Sequence, residues 1–294
     1  MIGLDTDQIA LIALCLLAIG YGLVLLIWLI PARRNLAKEL FNTLNPAALV
    51  LGALVGIFLL GGWALGIALA ALSCRIGYEA GHVRLGPQQA PLVAAATLAL
   101  SIGAMTLPLA ALTYAGIWCL AAVRLVAFPR NSSRTIRGWG ELLVFPLLPL
   151  GILAAAALNP ALGPVMLACY ILVETFDSYS LLTGKLIGRT KAFPQLSPRK
   201  TVEGLAGGVA GLALTAVLVA LIVGKPLWGA VVLALTVGLF SLAGDLGASR
   251  MKRKAGVKDF PVVLKSQGGL FDTFDSWIAA GAGVAALSMI LIAQ

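Results

Sequence analysis

The feature that most constrains this chain is a series of ten apolar runs, each long enough or nearly long enough to cross a bilayer as a helix. They fall at about 9–30, 47–61, 62–80, 90–103, 106–127, 141–157, 161–182, 203–223, 227–248 and 273–293. The second and fourth runs are short, which leaves nine spans as the alternative. Only 11% of the residues are charged, against about 25% in soluble domains. The sequence therefore predicts an all-α, polytopic membrane bundle.

Nearly all of the positive charge lies between these runs or at their ends. Every Lys and Arg except Lys225 falls in one of five segments, 31–46, 75–89, 124–140, 183–200 and 249–270. With ten spans, all five segments lie on one face of the membrane. The positive-inside rule makes that face cytoplasmic and places both termini outside the cytoplasm, which fits a bacterial inner membrane. The first run follows Asp5 and Asp7 instead of basic residues, so we expect a retained helix and not a signal peptide.

Composition also excludes several kinds of site. Basic loops beside an anionic leaflet account for the net charge of +9, so no nucleic-acid partner is expected. The four cysteines lie in or at the ends of apolar runs without metal-ligand spacing, which indicates buried side chains. His82 is the only histidine, which argues against a histidine-based metal site.

Six acidic residues lie near the cytoplasmic ends of the last four runs, where an ionised carboxylate is costly. They are Glu174, Asp177, Glu203, Asp245, Asp272 and Asp275. Isolated helix-end acids pair with nearby Lys or Arg, but six at one depth favour a shared polar site. Carboxylates without histidine suit Mg²⁺, and the neighbouring cations suit a polyphosphate. The pattern indicates phosphoryl or nucleotidyl transfer at the membrane surface.

Several motifs resemble those of the phosphatidate cytidylyltransferases. The stretch "SRMKRKAGVKDFPVVLKSQGGLFDTFD" at 249–275 is similar to the family signature without an insertion. Upstream, "SPRKTVEGLAGG" at 197–208, "DSYSLLTGKLIG" at 177–188 and the Gly-Asp-Leu at 244–246 are similar to other family motifs. The resemblance covers about 171–276. We therefore divide the chain into an N-terminal transmembrane region, 1–160, and a C-terminal transmembrane region, 161–294, which carries the motifs.

The resemblance implies an enzyme that joins CTP to phosphatidic acid or a related lipid phosphate, with Mg²⁺, a possible monovalent cation such as K⁺, and a possible homodimer. It implies metal ligands at Asp245, Asp272 and Asp275, with Asp275 supporting or sharing the centre. The three aspartates form the catalytic set together with Lys252, Arg253 and Lys258. The implied substrate-binding residues are Asp177, Ser197, Lys200, Thr201, Glu203, Ser249, Gln267, Gly268 and Gly269. Among these, Glu203 would orient a lysine, and the glycine pair would bring the backbone close to a phosphate.

The chain also departs from the family signature. Gln267 stands where the family has His, and Thr273 stands where it has Arg between the two aspartates. These changes leave the acids and alter their surroundings, which predicts a divergent enzyme with a different lipid acceptor or a lower rate. A CTP-dependent lipid kinase, a transporter and a catalytically inactive scaffold remain as alternatives.

Overall fold

The computed structural model describes residues 4–107, 109–127, 134–263 and 268–292. Over these residues the chain forms a helical bundle with one small hairpin. The helices are α1 (Thr6–Leu29), α2 (Arg34–Leu60), α3 (Gly62–Leu85), α4 (Ala90–Thr106), α5 (Ala110–Ala127), α6 (Arg134–Leu142), α7 (Leu148–Leu158), α8 (Gly163–Ile187), α9 (Val202–Ile222), α10 (Leu227–Lys254) and α11 (Leu270–Ile292). The strands are β1 (Lys191–Phe193) and β2 (Ser197–Thr201).

The predicted membrane class is confirmed. Within the described residues six helical stretches are long and apolar enough to span a bilayer: Thr6–Leu29, Pro31–Leu60, Thr135–Leu158, Gly163–Ile187, Val202–Ile222 and Leu227–Lys254. The second predicted run is the C-terminal half of the 27-residue helix α2. The count of ten spans stays a prediction.

The sixth run is less regular than the sequence indicated. A π-helical turn, Leu143–Leu147, separates α6 from α7, and Phe145 within it has an extended backbone. Pro146 has no N–H to donate to the helical ladder, which accounts for an interruption at this point. The run therefore bends in its first third and continues as the buried helix α7.

The hairpin between α8 and α9 is a feature that the sequence did not predict. Its two short strands pair in antiparallel register. The Glu203 carboxylate accepts hydrogen bonds from the backbone N–H groups of Arg189 (3.0 Å) and Thr190 (3.1 Å) and so closes the base of the hairpin. Thr201 accepts a hydrogen bond from Gly204 N (3.1 Å) and caps α9. These contacts fix the strand that carries Lys200.

Ion pairs and hydrogen bonds join the five basic segments to one another. The contacts are Lys185–Glu39 (2.5 Å), Arg84–Glu141 (2.7 Å), Lys254–Glu141 (2.6 Å), Arg75 to Pro261 O (3.2 Å) and Arg253 to Leu196 O (3.4 Å). Each contact joins one segment to another, or to Glu141 on α6, the helix that begins within segment 124–140. The basic segments therefore lie at a single end of the bundle, as the sequence predicted.

Four glycines of α9 bring this helix against α8. A Cβ atom on Gly204, Gly207, Gly208 or Gly211 would lie closer than 3.0 Å to atoms of α8. Glycines spaced four residues apart leave one helix face without side chains, which permits this close approach. The packing places the start of α9, and the hairpin before it, directly against the end of α8.

We expect Gly208→Ala to lower the stability of the protein by about 1–3 kcal/mol, because a methyl group there overlaps Ser180 and Phe176 of α8. The matched control is Gly52→Ala in α2, where nothing lies within 4 Å of the added Cβ. Thermal unfolding in detergent, followed by tryptophan fluorescence, measures the difference. Equal midpoints for the two variants would contradict the packing described here.

Candidate active site

The centre of the site is Lys200, which β2 directs toward carboxylates from three helices. Its Nζ atom lies 3.1 Å from Asp245 Oδ2 on α10 and 4.0 Å from Asp177 Oδ1 on α8. Lys200 also interacts electrostatically with Asp275 on α11. We call these four residues the Lys200 cluster. One ammonium group thus offsets the repulsion among three acids that are distant in sequence.

The charge of Lys200 is stabilised by its surroundings. Burial alone lowers the pKa of this ammonium, but the nearby carboxylates of Asp177 and Asp245 outweigh burial and raise the pKa above its ordinary value. Lys200 therefore stays protonated at neutral pH. Its side chain remains 21% exposed, so an anionic ligand can reach it.

A second pair lies beside this cluster. Lys252 Nζ lies 2.5 Å from Asp272 Oδ1, and the ammonium also lies over the ring of Phe260, 5.4 Å from its centroid. The Asp272 Oδ2 atom accepts hydrogen bonds from the backbone N–H groups of Phe260 (2.8 Å) and Gly269 (3.0 Å). Asp275 interacts electrostatically with Lys252 and connects the pair to the Lys200 cluster.

Close packing of α10 against α11 brings the acids of these helices together. A Cβ atom on Gly244 would lie 2.6 Å from the backbone oxygen of Asp275 and 2.7 Å from the Ala279 Cβ atom. Glycine at 244 therefore permits the contact, and the next residue is Asp245. Asp245 and Asp275 consequently interact electrostatically across the two helices.

The predicted metal ligands are all carboxylates, which suits a hard cation such as Mg²⁺. The Asp245 Oδ2 atom is buried and, apart from its ion pair with Lys200, accepts no hydrogen bond within the described part of the chain. Among the described residues no three acids, histidines or cysteines form a metal cage. Mg²⁺ commonly binds one or two carboxylates with waters and substrate phosphates, so the residues present fit it. The assignment of Asp245, Asp272 and Asp275 as ligands stays a prediction.

Four other predicted site residues range from exposed to buried. Arg253 is exposed and donates to the backbone oxygens of Val257 (3.1 Å) and Leu196 (3.4 Å), and Lys258 is exposed. Ser249 is buried on α10, and Ser197 is half-buried on β2. Their substrate contacts stay predictions. Gln267 lies outside the described residues.

The side chains of Glu203 and Thr201, both predicted to bind substrate, form hydrogen bonds with the protein backbone. Glu203 was expected to orient a lysine, but its carboxylate accepts the backbone N–H groups of Arg189 and Thr190. The Thr201 hydroxyl caps α9. Both residues therefore support the hairpin that holds Lys200, because the polar backbone between two membrane helices needs its own hydrogen-bond partners.

The glycine pair has close contacts with protein carboxylates that the sequence did not indicate. Gly268 has a φ of +86°, and a Cβ atom there would lie 2.6 Å from Asp272 Oδ2. A Cβ atom on Gly269 would overlap Glu79 Oε2. The backbone N–H of Gly269 already donates to Asp272. The pair therefore makes room for two protein carboxylates, and its approach to a phosphate stays a prediction.

Glu79 on α3 is the contributor that sequence reasoning missed. Its side chain is fully buried and accepts hydrogen bonds from Leu270 N (3.1 Å) and Phe271 N (2.8 Å) in the first turn of α11. Arg75 pairs with it at 2.8 Å. The signal in the sequence was an acid inside the third apolar run, four residues after an Arg. Its partner could not be identified, because 192 residues separate Glu79 from Phe271.

Comparison with known proteins identifies a family whose model covers most of the chain. Residues 42–291 match the model of the "Cytidylyltransferase family". The chain is 40% identical over 117 residues to a phosphatidate cytidylyltransferase of Synechocystis sp., covering 39% of each protein. It is 37% identical over 116 residues to one of Bacillus subtilis, covering 39% of this chain and 43% of the relative.

A longer match is found with the uncharacterized protein YnbB of Escherichia coli, which is 35% identical over 164 residues, or 52% of this chain and 54% of the relative. The matches to these three relatives thus span between about two-fifths and half of their lengths. The family model, in contrast, covers most of the chain. The chain belongs to the cytidylyltransferase family.

Proposed function

We propose that this protein transfers CMP from CTP to a lipid phosphate, either phosphatidic acid or a close relative, and releases pyrophosphate. The observation that carries the proposal is the Lys200 cluster, which gathers one ammonium and three carboxylates at the basic end of an apolar bundle. Two relatives named phosphatidate cytidylyltransferases support the choice of reaction.

The reaction requires no activated side chain as nucleophile. An oxygen of the lipid phosphate attacks the α-phosphorus of CTP, the bond from that phosphorus to the bridging α–β oxygen breaks, and pyrophosphate leaves. Two anions must approach each other, so positioning and charge neutralisation are the protein's main tasks. Two cations lie beside the acids of the site, and both are largely shielded from solvent. They are Lys200 and Lys252.

The acids supply the remaining part of the site. Asp245 would hold Mg²⁺, with Asp272 and Asp275 as the other proposed ligands. When bound, Mg²⁺ would neutralise charge on the phosphate oxygens. Binding to Asp272 would replace one of the contacts that its carboxylate makes with Lys252, Phe260 N or Gly269 N. A monovalent cation such as K⁺ is proposed on the resemblance alone.

The surroundings of Asp177 support a lipid acceptor. An apolar cavity of about 260 Å³ lies between α1, α2 and α8, and Asp177 is among its lining residues together with Leu16, Leu44 and Leu182. A lipid chain in this cavity would have its phosphate near Lys200. The cavity therefore extends from apolar side chains of α1 and α2 to one acid of the Lys200 cluster.

The proposed sidedness of the site rests on the positive-inside rule and on the basic end of the bundle. We place that end in the cytoplasm, where positive charge accumulates and CTP is available, and both termini on the other side of a bacterial inner membrane. The division into a C-terminal region, 161–294, that carries the motifs and an N-terminal region, 1–160, that supports them belongs to the same proposal. Homodimerisation rests on the resemblance alone.

Isotope labelling tests the reaction. In vesicles containing phosphatidic acid and Mg²⁺, the purified protein is expected to move label from the cytidine or α-phosphate of CTP into lipid, with one pyrophosphate released per labelled lipid. Transfer of the γ-phosphate into lipid would indicate a kinase. Absence of transfer to several lipid phosphates would contradict the proposed function.

Substitution of Lys200 tests the charge at the centre of the site. We expect Lys200→Met to lower kcat about 10²- to 10³-fold, because the variant loses a preorganised cation. Lys191→Met, an exposed lysine on the same hairpin, is the matched control and is expected to retain full activity. Equal rates for the two variants would remove Lys200 from the mechanism.

Substitution of Asp245 tests the metal site. We expect Asp245→Asn to abolish Mg²⁺-dependent transfer and to eliminate the rise in thermal midpoint that Mg²⁺ with CTP produces in the original protein. Asp7→Asn changes an exposed acid of α1 and serves as the control. An unchanged Mg²⁺ titration in Asp245→Asn would exclude this residue as a ligand.

A further inference from the structure

The N-terminus of α11 is held by two carboxylates. The first N–H groups of a helix have no partners within the helix itself. Here Gly269 N donates to Asp272, whereas Leu270 N and Phe271 N donate to Glu79. Asp272 belongs to α11 itself, but Glu79 belongs to α3. A side chain from the N-terminal region therefore caps the helix that carries two of the proposed catalytic acids.

The Glu79 carboxylate depends on its protein partners because it is shielded from water. Its side chain is 0% exposed, and a buried carboxylate is costly unless partners compensate it. Arg75 supplies one partner at 2.8 Å and also donates to Pro261 O at 3.2 Å. The Arg75–Glu79 pair thus contacts the chain at 261 and at 270–271, on both sides of the glycine pair.

The absence of a side chain at Gly269 leaves room for the Glu79 carboxylate. A Cβ atom on Gly269 would overlap Glu79 Oε2 and would lie 2.8 Å from the Phe260 Cβ atom. Glycine is therefore required at 269 for Glu79 to reach the helix end. The partial positive charge at the helix N-terminus also favours a carboxylate at this place.

We propose that Glu79 is a positioning residue that fixes the first turn of α11 and thereby the orientation of Asp272 and Asp275. The inference rests on the proposed function, because these acids belong to the site described above. The two aspartates are three residues apart and share one helix face, so a small tilt of the first turn moves both. Such a displacement changes their distances to Lys252 and to the Lys200 cluster without removing any reacting group.

The test compares Glu79→Gln and Glu79→Ala with the control Glu39→Gln, an acid at the same end of the bundle that pairs with Lys185. Transfer kinetics are measured in vesicles with phosphatidic acid, CTP and varied Mg²⁺, and thermal midpoints are measured in parallel. Glutamine keeps one acceptor oxygen but places an NH₂ group against a second N–H donor. Alanine removes both acceptors.

We expect Glu79→Gln to lower kcat about 10- to 100-fold, as for a misplacement of about 1 Å, with the KM for CTP changed less than about threefold. Glu79→Ala is expected to lose more activity, and Gly269→Ala is expected to reproduce the glutamine variant. Glu39→Gln should match the original protein. If activity per folded molecule is the same in Glu79→Gln as in Glu39→Gln, the positioning role is wrong.

Hydrogen exchange separates this proposal from the proposed function. A peptide covering 268–280 reports the protection of the first-turn amides without requiring turnover. We expect faster exchange of this peptide in Glu79→Gln than in Glu39→Gln, even if no CTP transfer is found in the original protein. Identical exchange in both variants would overturn the inference, whereas absent transfer with faster exchange would overturn only the enzymatic assignment.

Discussion

The arrangement of this protein depends on the cost of placing charge in an apolar bundle. Ionised side chains are tolerated at its basic end because cations and acids from separate helices meet there. Lys200 lies among Asp177, Asp245 and Asp275, while Lys252 pairs with Asp272. The same arrangement suits the phosphate-bearing substrates proposed above, since phosphate oxygens can replace carboxylates around the two ammonium groups.

Small residues allow these charges to meet. Gly244 permits contact between α10 and α11, and the glycines of α9 permit contact with α8. The hairpin between α8 and α9 then directs Lys200 toward both helix pairs. Helices at ordinary separations of 8–10 Å would keep the acids farther apart, so the glycines determine the electrostatics of the site as well as its packing.

Local patterns predicted one part of the structure and nonlocal contacts determined the rest. Continuous hydropathy indicated the membrane helices, and the spacing of Lys and Arg indicated that the basic segments share one end. The β1–β2 hairpin was missed because its strands are short and lack apolar alternation. The contact between Gly269 and Glu79 could not be predicted, because Glu79 comes from the distant helix α3. Sequence motifs pointed to the residues that meet in the Lys200 cluster and in the Lys252–Asp272 pair, but not to the contacts that orient them.

The contact between Glu79 and α11 has a consequence for how the protein is made. Since 192 residues separate Glu79 from Phe271, α3 is synthesised long before its partner emerges from the ribosome. Until then the carboxylate has only Arg75 as a compensating neighbour among the contacts described. Insertion of α11 then supplies the backbone N–H groups of Leu270 and Phe271 that complete the cap. The proposed orientation of Asp272 and Asp275 can therefore be established only after α11 has entered the membrane beside α3.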